Sequence, residues 1–70
     1  MADEWLSELS QLERALLERL SSGNTLVAAA AAEFLSLRTA NRRVASMRRR
    51  GGVKTTRELV DLYRQRPERA

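Results

Sequence analysis

The sequence has no cysteine and no histidine, and only one proline, three glycines and three aromatic residues among its 70 positions. Without cysteine the chain can form no disulfide. Without either residue it lacks the ligands of the usual zinc sites and the groups used in Cys- or His-based catalysis. No secluded pair of carboxylates is apparent. We therefore expect no enzyme activity, no metal, no cofactor and no small-molecule substrate.

Long hydrophobic runs are also missing. The longest uninterrupted one, Leu26 to Ala32, is far shorter than the roughly 20 residues that a membrane span requires. The first residues are acidic (Asp3, Glu4 and Glu8), the reverse of a secretory signal. With 43% hydrophobic residues, the chain has enough apolar material for one small domain. These features predict a cytoplasmic protein without membrane contact, with access to the nucleoid in a bacterium.

Charge is distributed unevenly along the chain. Residues 1–35 hold six acids and two cations, whereas residues 36–70 hold eleven cations and three acids. Twelve of the 13 cations are arginine, whose planar guanidinium favours paired contacts with phosphate and guanine. Such a distribution indicates a basic surface for an acidic polymer.

Four helix starts can be recognised from capping residues. Ser10–Glu13 and Thr55–Glu58 have the capping-box spacing, and Thr25 and Ser36 are suited to cap two helices between them. We predict an all-α, four-helix domain over residues 9–66. Residues 1–8 are expected to form an acidic arm or short helix, and residues 67–70 a frayed tail.

Apolar spacing predicts which side chains are buried. The leucines of the first predicted helix are expected to face inward, and Glu13 outward. The second helix, expected from Leu26 to Phe34, is rich in alanines that would let another helix approach closely, with Phe34 and Leu35 as an apolar anchor. Trp5 is expected either to cover the edge of the core or to lie in an arm that contacts a partner.

The third predicted helix, about residues 37–50, is amphipathic and basic. Leu37, Ala40, Val44 and Met47 recur on one side, and seven cations without an acid occur from Arg38 to Lys54. Only a short turn separates this helix from the second one, which is a helix-turn-helix pattern, although no glycine marks the turn.

At this point the residues resemble the LuxR/GerE-type helix-turn-helix domain of bacterial transcription regulators, from Leu9 to about Val60. The spacing from Thr25 through Ser36 and Thr39 to Gly52 is the specific part. The shared residues are Leu9, Ser10, Glu13, Arg14, Leu16, Leu20, Thr25, Ala30, Leu35, Ser36, Thr39, Val44, Gly52, Val53 and Glu58.

The sequence departs from the family pattern at several positions. Ala28 and Ala29 stand where an acid and a branched apolar residue are usual, Arg43 where histidine is frequent, and Gly51 where a large apolar residue is usual. We expect Gly51 to loosen the end of the third helix and to shift the fourth. The changes leave the positive charge of the third helix intact.

The resemblance implies sequence-specific binding of double-stranded DNA, with the third helix in the major groove. Asn41, Arg42 and Ala45 match base-proximal positions. The candidate contacts to the DNA backbone are Arg38, Thr39, Arg43, Lys54 and Arg57 from the resemblance, and Arg49 and Arg50 from their charge. The fourth helix commonly forms the homodimer contact in this family, which implies a role for Leu59, Leu62 and Tyr63.

Two readings of individual residues remain open. The hydroxyl of Thr39 can donate to a phosphate or bond back to Ser36, and Arg48 and Arg50 can contact DNA or merely face solvent.

Two other functions also remain. The chain could be a small helical adaptor that binds an acidic protein, such as a sigma factor or another regulator, through the arm around Trp5 and the fourth helix. It could also bind RNA or nucleoid DNA without sequence preference.

Overall fold

A computed structural model describes residues 4–65, in which all regular structure is helical. The elements are α1 (Glu4–Ser7), α2 (Gln11–Ser21), α3 (Leu26–Ala32), α4 (Leu37–Gly51) and α5 (Thr56–Arg64). The all-α prediction is therefore confirmed, with a four-residue helix preceding the four that were expected. The predicted tail at residues 67–70 lies outside the described residues.

Capping side chains set the starts of the four longer helices as predicted. The hydroxyl groups of Ser10, Thr25, Ser36 and Thr55 each accept a hydrogen bond from a backbone N–H in the first turn. Both predicted capping boxes are complete, because Glu13 and Glu58 also accept from the backbone of their cap residues. These bonds satisfy N–H groups that a helix start leaves without an intrahelical partner.

Helices α2, α4 and α5 supply most of the core, and α1 closes one side of it. The core cluster consists of Trp5, Leu17, Leu20, Val44, Met47, Leu59 and Tyr63. Trp5 is 5% exposed, as expected for a residue that covers the edge of the core, while a partner contact by the N-terminal arm stays a prediction. Ala29 and Ala30 are buried where α3 packs against α2 and α4, so their small size permits the close packing that was expected.

Three helices end with the same pair of backbone hydrogen bonds. Gly23 after α2, Phe34 after α3 and Gly52 after α4 all have positive φ angles, of 101°, 59° and 73°. In each case the N–H of this residue donates to a carbonyl three residues earlier. The N–H of the residue that follows donates to a carbonyl five residues before it, as in a Schellman motif. Phe34 therefore occupies the left-handed position that glycine fills in the other two helices.

The expectation that Phe34 anchors α3 in the core was wrong. Helix α3 ends at Ala32, and the left-handed backbone directs the ring of Phe34 away from the chain, leaving it 96% exposed. Leu37 is also more exposed than expected, at 44%, because it lies in the first turn of α4 at the rim of the packed region.

Gly51 does not interrupt α4, which contains it as its last residue before Gly52 takes the left-handed conformation. A Cβ atom at Gly51 would lie 3.0 Å from Cδ2 of Leu62 and 3.8 Å from Cδ1 of Leu59. The missing side chain thus allows α5 to approach the end of α4.

Within residues 4–65, no helix is long and apolar enough to cross a membrane.

Candidate nucleic-acid interface

Helix α4 presents a polar and cationic side to solvent while its opposite side is held in the core. Ala40, Val44 and Met47 are buried, as predicted. Asn41 and Arg42 are exposed, and Ala45 between the cations is half-buried. The three residues proposed to contact bases therefore share one accessible region on a helix whose orientation the core determines.

An open depression of about 560 Å³ lies along this side of α4. Its lining consists of Thr39, Arg42, Arg43, Ala45, Ser46 and Arg49 from α4, together with Glu13 from α2. Five of the ten predicted DNA-contacting residues thus line one concave surface. Arg38 and Asn41 are exposed on the same helix without lining it.

The expectation that Glu13 faces outward was wrong. Glu13 is only 5% exposed, and its carboxylate accepts from the Ser10 backbone N–H at 3.0 Å and from the Arg50 guanidinium at 2.6 Å. A second guanidinium, that of Arg43, lies 3.7 Å away. Burial acts to raise the pKa of Glu13, but the hydrogen bonds from Ser10 and Arg50 and the two positive charges outweigh it and hold the pKa below its ordinary value.

Arg50 is engaged within the chain. Besides its ion pair with Glu13, it donates from Nη1 to the backbone carbonyl of Glu8 at 3.2 Å. These bonds tie the end of α4 to α2 and to the segment that follows α1. Arg50 therefore has a structural role within the chain, and its expected contact with DNA stays a prediction. Arg48 likewise donates to Thr56 Oγ1, at 3.3 Å.

The position of the Thr39 hydroxyl favours one of its two expected roles. Ser36 Oγ donates to Thr39 Oγ1 at 3.0 Å, while the backbone N–H of Thr39 donates to Ser36 Oγ at 3.1 Å. Thr39 thus completes the cap of α4. Its own hydroxyl proton is not used in this pair, and the residue lines the depression.

The two remaining predicted phosphate contacts lie at the start of α5. Lys54 and Arg57 are exposed there, and the Lys54 backbone N–H donates to Glu58 at 2.9 Å. Neither residue lines the depression along α4. Any contact of theirs with DNA would therefore be at the periphery of the α4 surface.

The residues of α5 that were predicted to form a dimer contact serve the core of the single chain. Leu59 is fully buried and Tyr63 is 1% exposed, while Leu62 is half-buried. The Tyr63 hydroxyl donates to the Glu18 carboxylate, linking α5 to α2. Dimerisation through α5 stays a prediction, in which Leu62 alone of the three has surface to offer.

Sequence reasoning missed the Glu13–Arg50 pair because the capping box already accounted for Glu13. One carboxylate oxygen accepts from the cap and the other from Arg50, so the two roles coexist. A signal was present: seven cations and no acid from Arg38 to Lys54 imply that any buried arginine there needs an acid from elsewhere.

Comparison of the chain with known protein families, characterised proteins and solved structures found no match.

Proposed function

We propose that the protein binds double-stranded DNA sequence-specifically, as a bacterial transcription regulator, with α4 in the major groove. The observation that carries this proposal is the accessible side of α4. It combines an amide, arginines and a small residue on a helix whose other side is buried. A major groove about 12 Å wide accommodates a single helix of this kind.

Base recognition would come from the middle of the helix. Arg42 can donate two hydrogen bonds to O6 and N7 of guanine, and Asn41 can pair with N6 and N7 of adenine. Each such pair is worth about 1–3 kcal/mol of discrimination against the wrong base. Ala45 leaves room for close approach of the helix or for contact with a thymine methyl group.

Phosphate contacts would flank this region. Arg38, Arg43 and Arg49 are exposed along α4, and each can bind a backbone phosphate without reading the sequence. Thr39 can add its hydroxyl proton at the first turn of the helix. Lys54 and Arg57 would extend the phosphate contacts at the start of α5, whereas Arg50 is omitted because it already donates hydrogen bonds to Glu13 and to the carbonyl of Glu8.

A single module of this size buries about 600–1,000 Å² on DNA, which limits its affinity. Two copies would double the contacts and read a palindromic site whose halves lie about one helical turn apart. We therefore propose that the protein acts on DNA as a homodimer.

The adaptor alternative has less support, because the surfaces on which it relied face inward. Trp5 of α1 is buried, and the apolar residues Leu59 and Tyr63 of α5 are in the core. The acidic side chains Glu4 and Glu8 are exposed, but Trp5, the aromatic residue of the arm, is not.

The test starts from a binding sequence selected out of a random DNA pool. Fluorescence anisotropy is then used to compare this sequence with an unrelated duplex of equal length. The double variant Asn41→Ala/Arg42→Ala should lose roughly 10- to 100-fold of the preference for the selected sequence.

The matched control for this variant is Gln11→Ala/Arg14→Ala. It removes an exposed amide and an exposed arginine from α2 and should retain the preference. Full specific binding by the α4 double variant would exclude α4 as the reading surface. If the protein binds the pool but no sequence is preferred, its binding is non-specific.

A further inference from the structure

Ser46 lies on α4 among the residues proposed to contact DNA. It is half-buried and lines the depression together with Arg42, Ala45 and Arg49. Arg42 precedes it by four residues and Arg49 follows it by three, so these three side chains follow one side of the helix. Ser46 is therefore accessible from the surface that α4 presents to a groove.

The hydroxyl of Ser46 makes no hydrogen bond within residues 4–65. The other serines of the chain all use theirs, either in capping a helix or in donating to a nearby backbone carbonyl. They are Ser7, Ser10, Ser21, Ser22 and Ser36. In the described part of the chain, Ser46 is thus the serine whose hydroxyl is left for a bound molecule.

The position of Ser46 within α4 makes this hydroxyl unusual. A serine in the middle of a helix often donates to the carbonyl three or four residues earlier, which here belongs to Arg43 or Arg42. In residues 4–65 Ser46 forms neither bond. Alanine is also the better helix former at such a position. The hydroxyl therefore stabilises neither the helix nor the core that the structure describes.

We infer that Ser46 contacts a base edge in the major groove and adds to the sequence specificity of the protein. The inference rests on the proposed function and extends its reading surface towards the end of α4. A serine hydroxyl can donate to a base edge or accept from one. Its short side chain reaches a base only where the helix lies close, and the neighbouring Ala45 leaves room for that approach.

The spacing along α4 separates the base pair of Ser46 from that of Arg42. Four residues extend about 6 Å along a helix, whereas successive base pairs are about 3.4 Å apart. A helix that lies along the groove therefore brings Ser46 to a different base pair from Arg42.

A phosphate is the other group that a serine could bind on this surface. The arginines of α4 are better suited to it, because a guanidinium is charged and its long side chain can reach the phosphates that border the groove. Arg43 and Arg49 are exposed on either side of Ser46 in the sequence. A base edge thus remains for the shorter and uncharged side chain between them.

The test varies the duplex selected from the random pool one base pair at a time and measures each affinity by fluorescence anisotropy. Ser46→Ala should lose about 2- to 10-fold of the preference at one position of each half-site, the contribution of a single hydrogen bond. This position should differ from those at which Asn41→Ala/Arg42→Ala loses preference. Alanine favours the helix, so the variant should fold, which circular dichroism verifies.

A second variant tests for a change of preference instead of a loss. Ser46→Asn should select adenine at the position of Ser46, because an amide can pair with N6 and N7 of adenine. The matched control is Ser22→Ala, which removes an exposed hydroxyl at the end of α2 and should retain the complete wild-type profile.

Three results would overturn the inference and leave the proposed function intact. The first is a Ser46→Ala profile identical to that of the wild type. The second is an equal loss of affinity on every duplex, which would assign Ser46 to a phosphate. The third is a loss confined to the positions read by Asn41 and Arg42, which would mean that Ser46 acts through them. A wild-type protein without any preferred sequence would overturn the proposed function and the inference together.

Discussion

The Glu13 carboxylate on α2 and the Arg50 guanidinium at the end of α4 form a 2.6 Å ion pair that is largely shielded from solvent. Glu13 also caps α2 through Ser10, so one side chain couples the start of one helix to the end of another. This link adds to the core contacts of Ala40, Val44 and Met47, which hold α4 and with it the candidate DNA-binding surface.

Replacement of Glu13 by glutamine should destabilise the fold. The amide cannot compensate the charge of Arg50, whose donors would remain partly buried, and such a loss costs about 1–3 kcal/mol. The free energy of unfolding is measured by urea denaturation followed by circular dichroism. Glu8→Gln removes an equal charge from an exposed side chain and serves as the control. Equal effects of the two variants would mean that net charge alone is responsible.

The lowered pKa of Glu13 predicts a loss of stability in acid. A carboxyl group whose pKa is lower in the folded state binds a proton more readily in the unfolded state. Its contribution is therefore present above the unfolded pKa and is lost as the pH falls through the folded pKa. Urea denaturation between about pH 7 and about pH 3 should show this decline. The profile of Glu13→Gln should be flatter, and an unchanged slope would contradict the assignment.

Substitution of Phe34 by glycine should stabilise the isolated chain by about 1 kcal/mol. The left-handed conformation costs a residue with a Cβ roughly 1–2 kcal/mol. Glycine avoids this cost, but it loses more conformational entropy on folding, which offsets part of the gain. The exposed ring contributes no packing that would be lost. Thermal unfolding of a dilute sample measures the change. Phe34→Ala removes the ring but retains the Cβ, so it should show no such gain, and a destabilised Phe34→Gly would refute the prediction.

Loss of a phosphate-binding arginine should weaken DNA binding without changing sequence preference. Arg49→Ala is expected to reduce affinity for selected and unrelated duplexes alike and to lower the slope of log K against log salt by about 1. Anisotropy titrations at several salt concentrations measure both quantities. Arg64→Ala, on α5, removes an exposed arginine outside this surface and should leave the slope unchanged. A selective loss on the preferred sequence would make Arg49 a base-reading residue.

Local signals sufficed to place the starts of the four longer helices. Ser10, Thr25, Ser36 and Thr55 each cap a helix as their sequence context predicts, because a capping bond joins residues only three apart. Apolar periodicity likewise identified the buried side of α4, since a helix that packs on one side must repeat its apolar residues at that spacing.

Tertiary structure decided how charged and aromatic side chains are used. The pairing of Glu13 with Arg50 joins residues far apart in sequence, and the same periodicity that places Glu13 on a polar side cannot reveal the cation above it. Leu59 and Tyr63 are core residues because α5 packs against α2 and α4. The amphipathic pattern of α5 alone does not show whether its apolar side packs in the core or forms a dimer contact.

The basic helix 37–50 was recognisable from the sequence alone, because caps, apolar spacing and charge are properties of neighbouring residues. Which of its arginines remain accessible was decided by packing. Arg42 and Arg49 are exposed along the depression, whereas Arg50 is drawn into the interface with α2, since a buried carboxylate at Glu13 requires a cation. The exposure of Phe34 was also decided by the tertiary structure. Phe34 takes the left-handed position after α3, which no short-range pattern predicted for an aromatic residue.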